Sequence, residues 1–335
     1  MGQPATSAPV APKPRITWSL SLPFLLAHLS FVLIAFTGIS WQLVALAAVS
    51  YAVRMFFTTA GYHRYFSHRT FKTGRVMQFL LAAGAQTSMQ KGVLWWAAHH
   101  RDHHRHSDQP EDIHSPAQRG FWWSHMGWIL SDQYSATKFE RIKDFARFPE
   151  LRWLNKWHLV PAAVGGLALF LIGGLPWLVW GGLIPTVFLW HATFTINSLN
   201  HIWGSRKYLT TDTSRNNLLF ALMTGGEGWH NNHHFHQNTA NQGWFWWQVD
   251  TTFYALKVMS WVGLISDLRV VSEQTRMAYK AYTPEQVVSL KESVWFKSAR
   301  ARLTREFDAA VSSGATALQR VPERLGVAPA PLPRP

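Results

Sequence analysis

Histidine is the residue type through which this 335-residue chain could do chemistry, and its 17 copies are not spread evenly. Four clusters stand out: His63-Arg64-Tyr65-Phe66-Ser67-His68, His99-His100-Arg101-Asp102-His103-His104-Arg105-His106, Asn197-Ser198-Leu199-Asn200-His201, and His230-Asn231-Asn232-His233-His234-Phe235-His236. Residues at i, i+3 and i+4 lie within about a 100° arc of a helix. His100, His103 and His104 therefore project from one side, as do His230, His233 and His234. Asn197 and His201, one turn apart, share a face. His63 and His68 diverge by about 140° on a regular helix. They need a helix end between them, or they reach two different metals. Imidazole suits iron, zinc and copper. Nine imidazoles are too many for one ion of about four to six ligands and suit two ions side by side. The absence of Cys excludes thiolate sites, iron–sulfur clusters and disulfides.

The remaining histidines are read differently. His99, His106 and His236 fall outside the i, i+3, i+4 register and are expected beside the ligands or at the surface. His191, ten residues before His201, is assigned to packing or to support just outside the ligands. His28, His114, His125 and His158 stand alone and are read as packing or surface residues.

The elements that must position these clusters are apolar. Ile16 to Val53, 38 residues, and Trp157 to Ser205, 49 residues, contain no Asp, Glu, Lys or Arg. One membrane-spanning helix needs about 20 residues. Each stretch fits a hairpin of two spans, broken at Thr37-Gly38-Ile39-Ser40 and at Gly173-Gly174-Leu175-Pro176. The expected spans are about 17–38, 41–60, 157–173 and 176–198. A third run, Val76 to Gln90, is short and carries Gln78, Gln86, Ser88 and Gln90; it is expected to be a helix at the membrane surface or under a cap.

Composition supports this: 47% apolar, only 15% charged, with 19 Trp and 21 Phe. The formal net charge is +14, but no nucleic-acid recognition motif accompanies it. Residues 61–156 hold 14 Lys and Arg and residues 201–335 hold 15, while the two hairpin turns hold none. The positive-inside rule then places both termini and the histidine clusters in the cytoplasm.

Residues 1–15 are Pro/Ala-rich, expected to be a flexible tail, and lack the form of a cleaved signal peptide. Thr283-Pro284-Glu285-Gln286 reads as an N-cap, a first-turn proline and a capping-box partner. It opens a basic amphipathic extension over 276–320, placed on anionic lipid or on the cap. Residues 321–335 are Pro-rich and expected to be disordered. The body, 16–275, is one domain.

With these boxes the sequence resembles the membrane fatty acyl desaturases, specifically the stearoyl-CoA (Δ9) desaturase-like family of bacterial type. H-x4-H is matched by His63 and His68, H-R-x-H-H by His100 to His104, H-N-x-H-H by His230 to His234, and N-S-x-x-H by Asn197 to His201. The resemblance covers roughly residues 20–270. It implies an all-α membrane protein with four transmembrane helices in two hairpins, a cytosolic helical cap and a bacterial inner-membrane location. It implies a di-iron site held by His63, His68, His100, His103, His104, His201, His230, His233 and His234, with Asn197 approaching through a water. The implied reaction uses O2 to place a cis double bond, Δ9 by family default, in a saturated acyl-CoA or other acyl thioester or lipid. No H-P-G-G haem element of a fused cytochrome b5 is found, so electrons must come from a separate donor such as ferredoxin or cytochrome b5 with its reductase.

The chemistry fits the residues independently. An unactivated CH2–CH2 unit has no acidic proton and no leaving group, so acid–base and nucleophilic catalysis cannot start there. An oxidant made from O2 at two metals can. The protein's task is to hold the chain in a bent apolar tunnel. Trp95, Trp96, Trp229 and Phe235 are placed near it. Ala47 and Tyr51, one turn apart on the second span, are expected to close its far end. The basic residues Arg69, Lys72, Arg75 and Lys91 could receive carrier phosphates or face water and lipid. A di-iron hydroxylase of fatty acids, alkanes or sterols is the alternative enzyme. A metal transporter would carry its ligands inside the spans, whereas most clusters here lie beyond them.

Overall fold

A computed structural model describes residues 15–291. The tail through residue 14 and the segment from 292 onward, which holds most of the expected amphipathic extension and the Pro-rich end, lie outside the described residues. The part of that extension that is described starts as expected. Thr283 N–H donates to Gln286 Oε1 (2.8 Å) and Gln286 N–H to Thr283 Oγ1 (3.3 Å), a closed capping box in front of the helix Pro284–Lys291.

The described chain is mostly helical. Three helical runs are long and apolar enough to cross a membrane: Trp18–Thr37, Trp41–Ser67 and Val160–His201. Many of their large apolar side chains stay exposed, among them Phe36, Val49, Leu171 and Phe188. Only 6% of the most apolar window of the third run is buried. A surface of that kind needs an apolar surrounding. The first run ends at Gly38, and the next helix starts with Ser40 accepting the Leu43 N–H (3.3 Å).

The third run is not one straight helix. Gly173 (φ −138°, ψ 19°) and Gly174 (φ +64°, ψ −156°) leave helical geometry, and Gly174 takes a left-handed conformation that other residues avoid. A Cβ at Gly181 would touch the Leu169 side chain at 2.9 Å. In a continuous helix these residues would be about 18 Å apart. The run therefore folds back on itself where the Gly-Gly-Leu-Pro break was expected.

The second run departs from expectation in a way that matters. It does not stop near residue 60 but continues through the first histidine cluster as a widened, π-type helix over Thr58–Ser67. A backbone i→i+5 bond closes it, His68 N–H donating to His63 O (3.2 Å), and the Ser67 hydroxyl donates to Tyr62 O (2.7 Å) beside it. The short apolar run becomes the helix Arg75–Gln86, which buries Leu81, Ala82 and Ala85. It packs closely on the widened segment, because a Cβ at Gly61 would lie 2.8 Å from the Leu81 carbonyl oxygen.

Over this pair sit the helix Val93–His106 and short helices through Lys156. They share an interior of Phe66, Phe71, Leu94, Ile142, Leu151 and Leu154. Among the described residues the β structure is a two-residue antiparallel ribbon, Lys72–Thr73 with Ile265–Ser266, and single bridges of Asn216 with Ser205 and with Trp229.

Candidate metal centre

The nine expected imidazoles meet, sorted into two groups. His63, His68, His100, His104 and His233 form one, and His103, His201, His230 and His234 the other; within each group the ligand-capable atoms lie within 4.8 Å of one another. Each H-x-x-H-H triplet straddles both groups. The helix Val93–His106 sends His100 and His104 to one side and His103 to the other. The six-residue helix His230–Phe235 sends His233 to the first group and His230 and His234 to the second.

The i, i+5 problem of His63 and His68 is solved by the first of the two expected routes, with a widening of the helix added to it. The helix ends at Ser67 with His68 as its C-cap, so a helix end does separate them, and they serve one group rather than two. The π-type widening turns residue i+5 back toward residue i, and their rings meet at 4.8 Å.

The remaining box residues fix the geometry. Arg101 bonds the carbonyls of Phe66 (2.7 Å) and Ser67 (2.9 Å) and both Asp144 oxygens, tying the second box to the first. Asn231 Oδ1 accepts the N–H groups of Lys207 and Tyr208, both 2.8 Å away. Asn232 Nδ2 donates to Gln242 O (2.8 Å) and Gln248 Oε1 (3.0 Å). These buried amides hold a helix too short to hold itself.

The donor set fits a metal. In the first group successive Nε2 atoms are separated by 2.9–3.0 Å: His68 to His100, His100 to His104, His104 to His233, His233 to His63. Donors about 2.1 Å from one ion and at right angles lie about 3.0 Å apart. In the second group His201 and His230 Nε2 are 3.2 Å apart, and His234 Nε2 is buried with no protein partner. Burial, and then the neighbouring imidazoles, hold His68, His100, His104, His230 and His233 well below the ordinary histidine value. Neutral rings are the form that binds metal.

Four carboxylates that sequence reasoning missed orient the rings. His103 Nδ1 faces Asp112 (3.0 Å), His201 Nδ1 faces Asp108 (3.3 Å), His234 Nδ1 faces Asp212 (2.7 Å), and His63 Nδ1 faces Glu227. A carboxylate on Nδ1–H fixes the tautomer and turns Nε2 inward. Burial alone would raise these acids, but His201, His103, His234 and His63 outweigh it and hold them below the usual carboxylate range. Asp108 reaches back because its backbone is left-handed (φ +60°), a conformation Asp tolerates better than most. Behind Glu227 stands Arg64, 1% exposed, paired also with Asp250 (2.9 Å). The only local signal was that acids are scarce and two of them, Asp108 and Asp112, directly follow the second box.

An apolar cavity of about 310 Å3 reaches the groups at His63, His100 and His230. Trp95, Trp96 and Asn197 line it. Trp96 stacks on His100 at 4.9 Å. Gln90 Nε2 donates to Thr193 Oγ1 (2.9 Å) across the wall. The Asn197 carbonyl accepts from Ser124 Oγ (2.8 Å).

Ala47 and Tyr51, expected at the tunnel's end, do not line the cavity. Ala47 packs with Val179, Trp180 and Ile184, and Tyr51 donates to the Met223 carbonyl (2.6 Å). Trp229 and Phe235 do not line it either; Trp229 donates to Val249 O and Phe235 stacks on Tyr208.

Neither His99 nor His191 belongs to a group. His99 shares a hydrogen bond with Ala136 O (3.1 Å), while His191 bridges His28 (2.9 Å) and His125 (3.0 Å). His114 lies against His103, ring centroids 4.4 Å apart and tilted by 35°. Of the four loop cations, Lys72 is paired with Asp267 and Arg75 with Glu150, both at 2.6 Å, and Lys91 lines the cavity.

Comparison with known proteins places the chain among desaturases. The fatty acid desaturase family model matches residues 39–260. The chain is 34% identical over 292 residues to an acyl-CoA C20 Delta5-desaturase of Anemone leveillei, covering 83% of this chain and 93% of that one. It is 37% identical over 280 residues to an sn-1 stearoyl-lipid 9-desaturase of Synechocystis sp., covering 80% and 86%. It is 36% identical over 250 residues to Delta-9 acyl-lipid desaturase 2 of Arabidopsis thaliana, covering 74% and 81%.

Proposed function

This chain belongs to the fatty acid desaturase family, and we propose that it places a cis double bond at Δ9 in a saturated long-chain acyl thioester, with CoA as the carrier. It is an oxidoreductase that desaturates fatty acyl chains. The observation that carries the proposal is the apolar cavity ending on His63, His100 and His230. An acyl chain lying there would present a methylene pair to both histidine groups.

In this reading His63, His68, His100, His104 and His233 hold one iron, and His103, His201, His230 and His234 the other. Asn197 reaches the second through a water. The iron pair supplies, from O2 and two electrons, the oxidant that an unactivated C–H bond requires. Everything else falls to the chain's own residues. Asp108, Asp112, Asp212 and Glu227 hold the imidazoles in the ligating tautomer. Trp96 and the Gln90–Thr193 bond stiffen the wall against which the acyl chain lies. The apolar lining excludes water, which would otherwise compete for the oxidant.

The topology proposed with it is four membrane spans, with the third run crossing twice. The Lys and Arg distribution puts both termini and the site in the cytoplasm, at the inner membrane of a bacterium.

The test is expression in cells that cannot make unsaturated fat, with total fatty acids analysed by mass spectrometry and His103→Ala as control. A new cis-monoene absent from the variant supports desaturation, and its double-bond position checks Δ9. A hydroxy acid instead would move the chain to the hydroxylase reading.

A further inference from the structure

Two separate openings lead to the paired histidine groups, and they share no lining residue. The apolar cavity meets His63, His100 and His230. The other opening, about 580 Å3, is polar and reaches the surface. His68 and His104 line it together with four arginines, Arg69, Arg101, Arg105 and Arg269. Arg101 is committed to Asp144 (2.9 Å), and Arg69 lies 3.7 Å from the same carboxylate. Arg105 and Arg269 make no ion pair among the described residues and face outward. The pocket is thus strongly positive beside two imidazoles of the five-membered group.

We propose that this pocket is the docking site of a small acidic redox protein that delivers electrons one at a time. The inference rests on the desaturase reading. That reaction is R–CH2–CH2–R′ + O2 + 2 e− + 2 H+ → R–CH=CH–R′ + 2 H2O. The two C–H bonds supply two of the four electrons that O2 takes up, and the donor must supply the other two. Docking over His68 and His104 brings a donor's redox centre close to a ligand edge without entering the acyl cavity, so both partners bind together. A basic concavity steers an acidic partner and raises its on-rate by about 10- to 1,000-fold. A carrier's phosphates fit this pocket poorly. The acyl chain must lie in the apolar cavity, which keeps the carrier at that cavity's own mouth.

The test uses the full chain in nanodiscs, loaded with zinc, which binds imidazole and has no redox chemistry. The probe is an acidic plant-type [2Fe–2S] ferredoxin. Arg105→Glu and Arg269→Glu should each raise its Kd about tenfold or more, and the double variant should lose most of the salt dependence. Arg152→Glu, an exposed change outside the pocket, should shift Kd less than about twofold. In iron-loaded protein, reduction by ferredoxin should slow by the same factor, while reduction by the neutral photoreduced 5-deazaflavin and the KM for stearoyl-CoA stay unchanged. Arg105→Gln with Arg269→Gln, at two metal ions per chain, should reproduce the loss in milder form and so separates charge from misfolding. Unchanged ferredoxin binding in both Glu variants overturns the proposal, as does equal loss in Arg152→Glu. A raised stearoyl-CoA KM with intact ferredoxin binding also overturns it, giving the pocket to carrier phosphates. Wild-type protein that binds ferredoxin here yet desaturates nothing with either reductant keeps the docking site and sinks the desaturase reading.

Discussion

The two histidine groups differ most in what stands behind them. Five imidazoles in one group have one carboxylate among them, Glu227 on His63, and Arg64 already neutralises it. Four imidazoles in the other have three, Asp108, Asp112 and Asp212. One group therefore draws its grip from the number of donors. The other draws it from the strength of each donor, because a carboxylate on Nδ1–H makes the ring a better ligand. Their acids also do different work. Glu227 joins a buried network with Arg64, Gln242 and Asp250 that ties three segments together. Asp212 serves one ring and a turn, accepting from Ser214 N–H (3.0 Å).

The sharpest break of this comparison is His103→Ala. Product should fall by more than about 100-fold, since a ligand outranks its supporting carboxylate, and bound metal should drop from two ions to one. Loss of both ions by elemental analysis would mean that the groups are one unit. Next comes Arg64→Leu, which strands two buried carboxylates and should cost about 3–5 kcal/mol of stability. Thermal unfolding of the purified protein reads this out, and an unchanged midpoint would deny the network its structural role.

Asp212→Asn should act on metal instead, weakening the four-membered site by about 10- to 100-fold with little change in melting. A chelator should strip the wild type in two phases, and this variant should speed one of them alone. A single phase in both proteins would erase the difference between the groups. The smallest effect belongs to Thr213→Val. Its hydroxyl bonds Asp108 (2.7 Å) while its backbone N–H keeps the same carboxylate in place. Loss of one such bond, about 0.5–1.5 kcal/mol, should cost the four-membered site roughly two- to twelvefold in chelator competition.

Some of this was open to sequence reading. Charge-free runs mark apolar helices because an unpaired charge in an apolar surrounding is too costly to keep. Gly173-Gly174 marks a reversal because only glycine enters its backbone conformation freely. The Thr283 capping box is a contact between residues three apart. The histidine triplets follow from helical period alone. Other features escaped because they depend on distance along the chain. Glu227 meets His63 across 163 intervening positions of loop and helix, and no local pattern distinguishes it from a surface glutamate. Ala47 and Tyr51 share a helical face as expected, but that face turns toward other helices rather than the cavity.

By itself, then, the sequence determined which residues are histidines on helical faces, where the apolar runs begin and break, and the reaction class to which the boxes point. These are properties of composition and of a backbone repeat that extends over a turn or two. Tertiary structure decided how nine rings divide into five and four, and it placed one acid behind the first group and three behind the second. It also widened the second helix so that His63 and His68 converge. Each of those outcomes depends on which segments press together. Packing and long-range hydrogen bonds set that, and they can stretch a helix by one residue per turn when buried contacts such as Gly61 against Leu81 reward it.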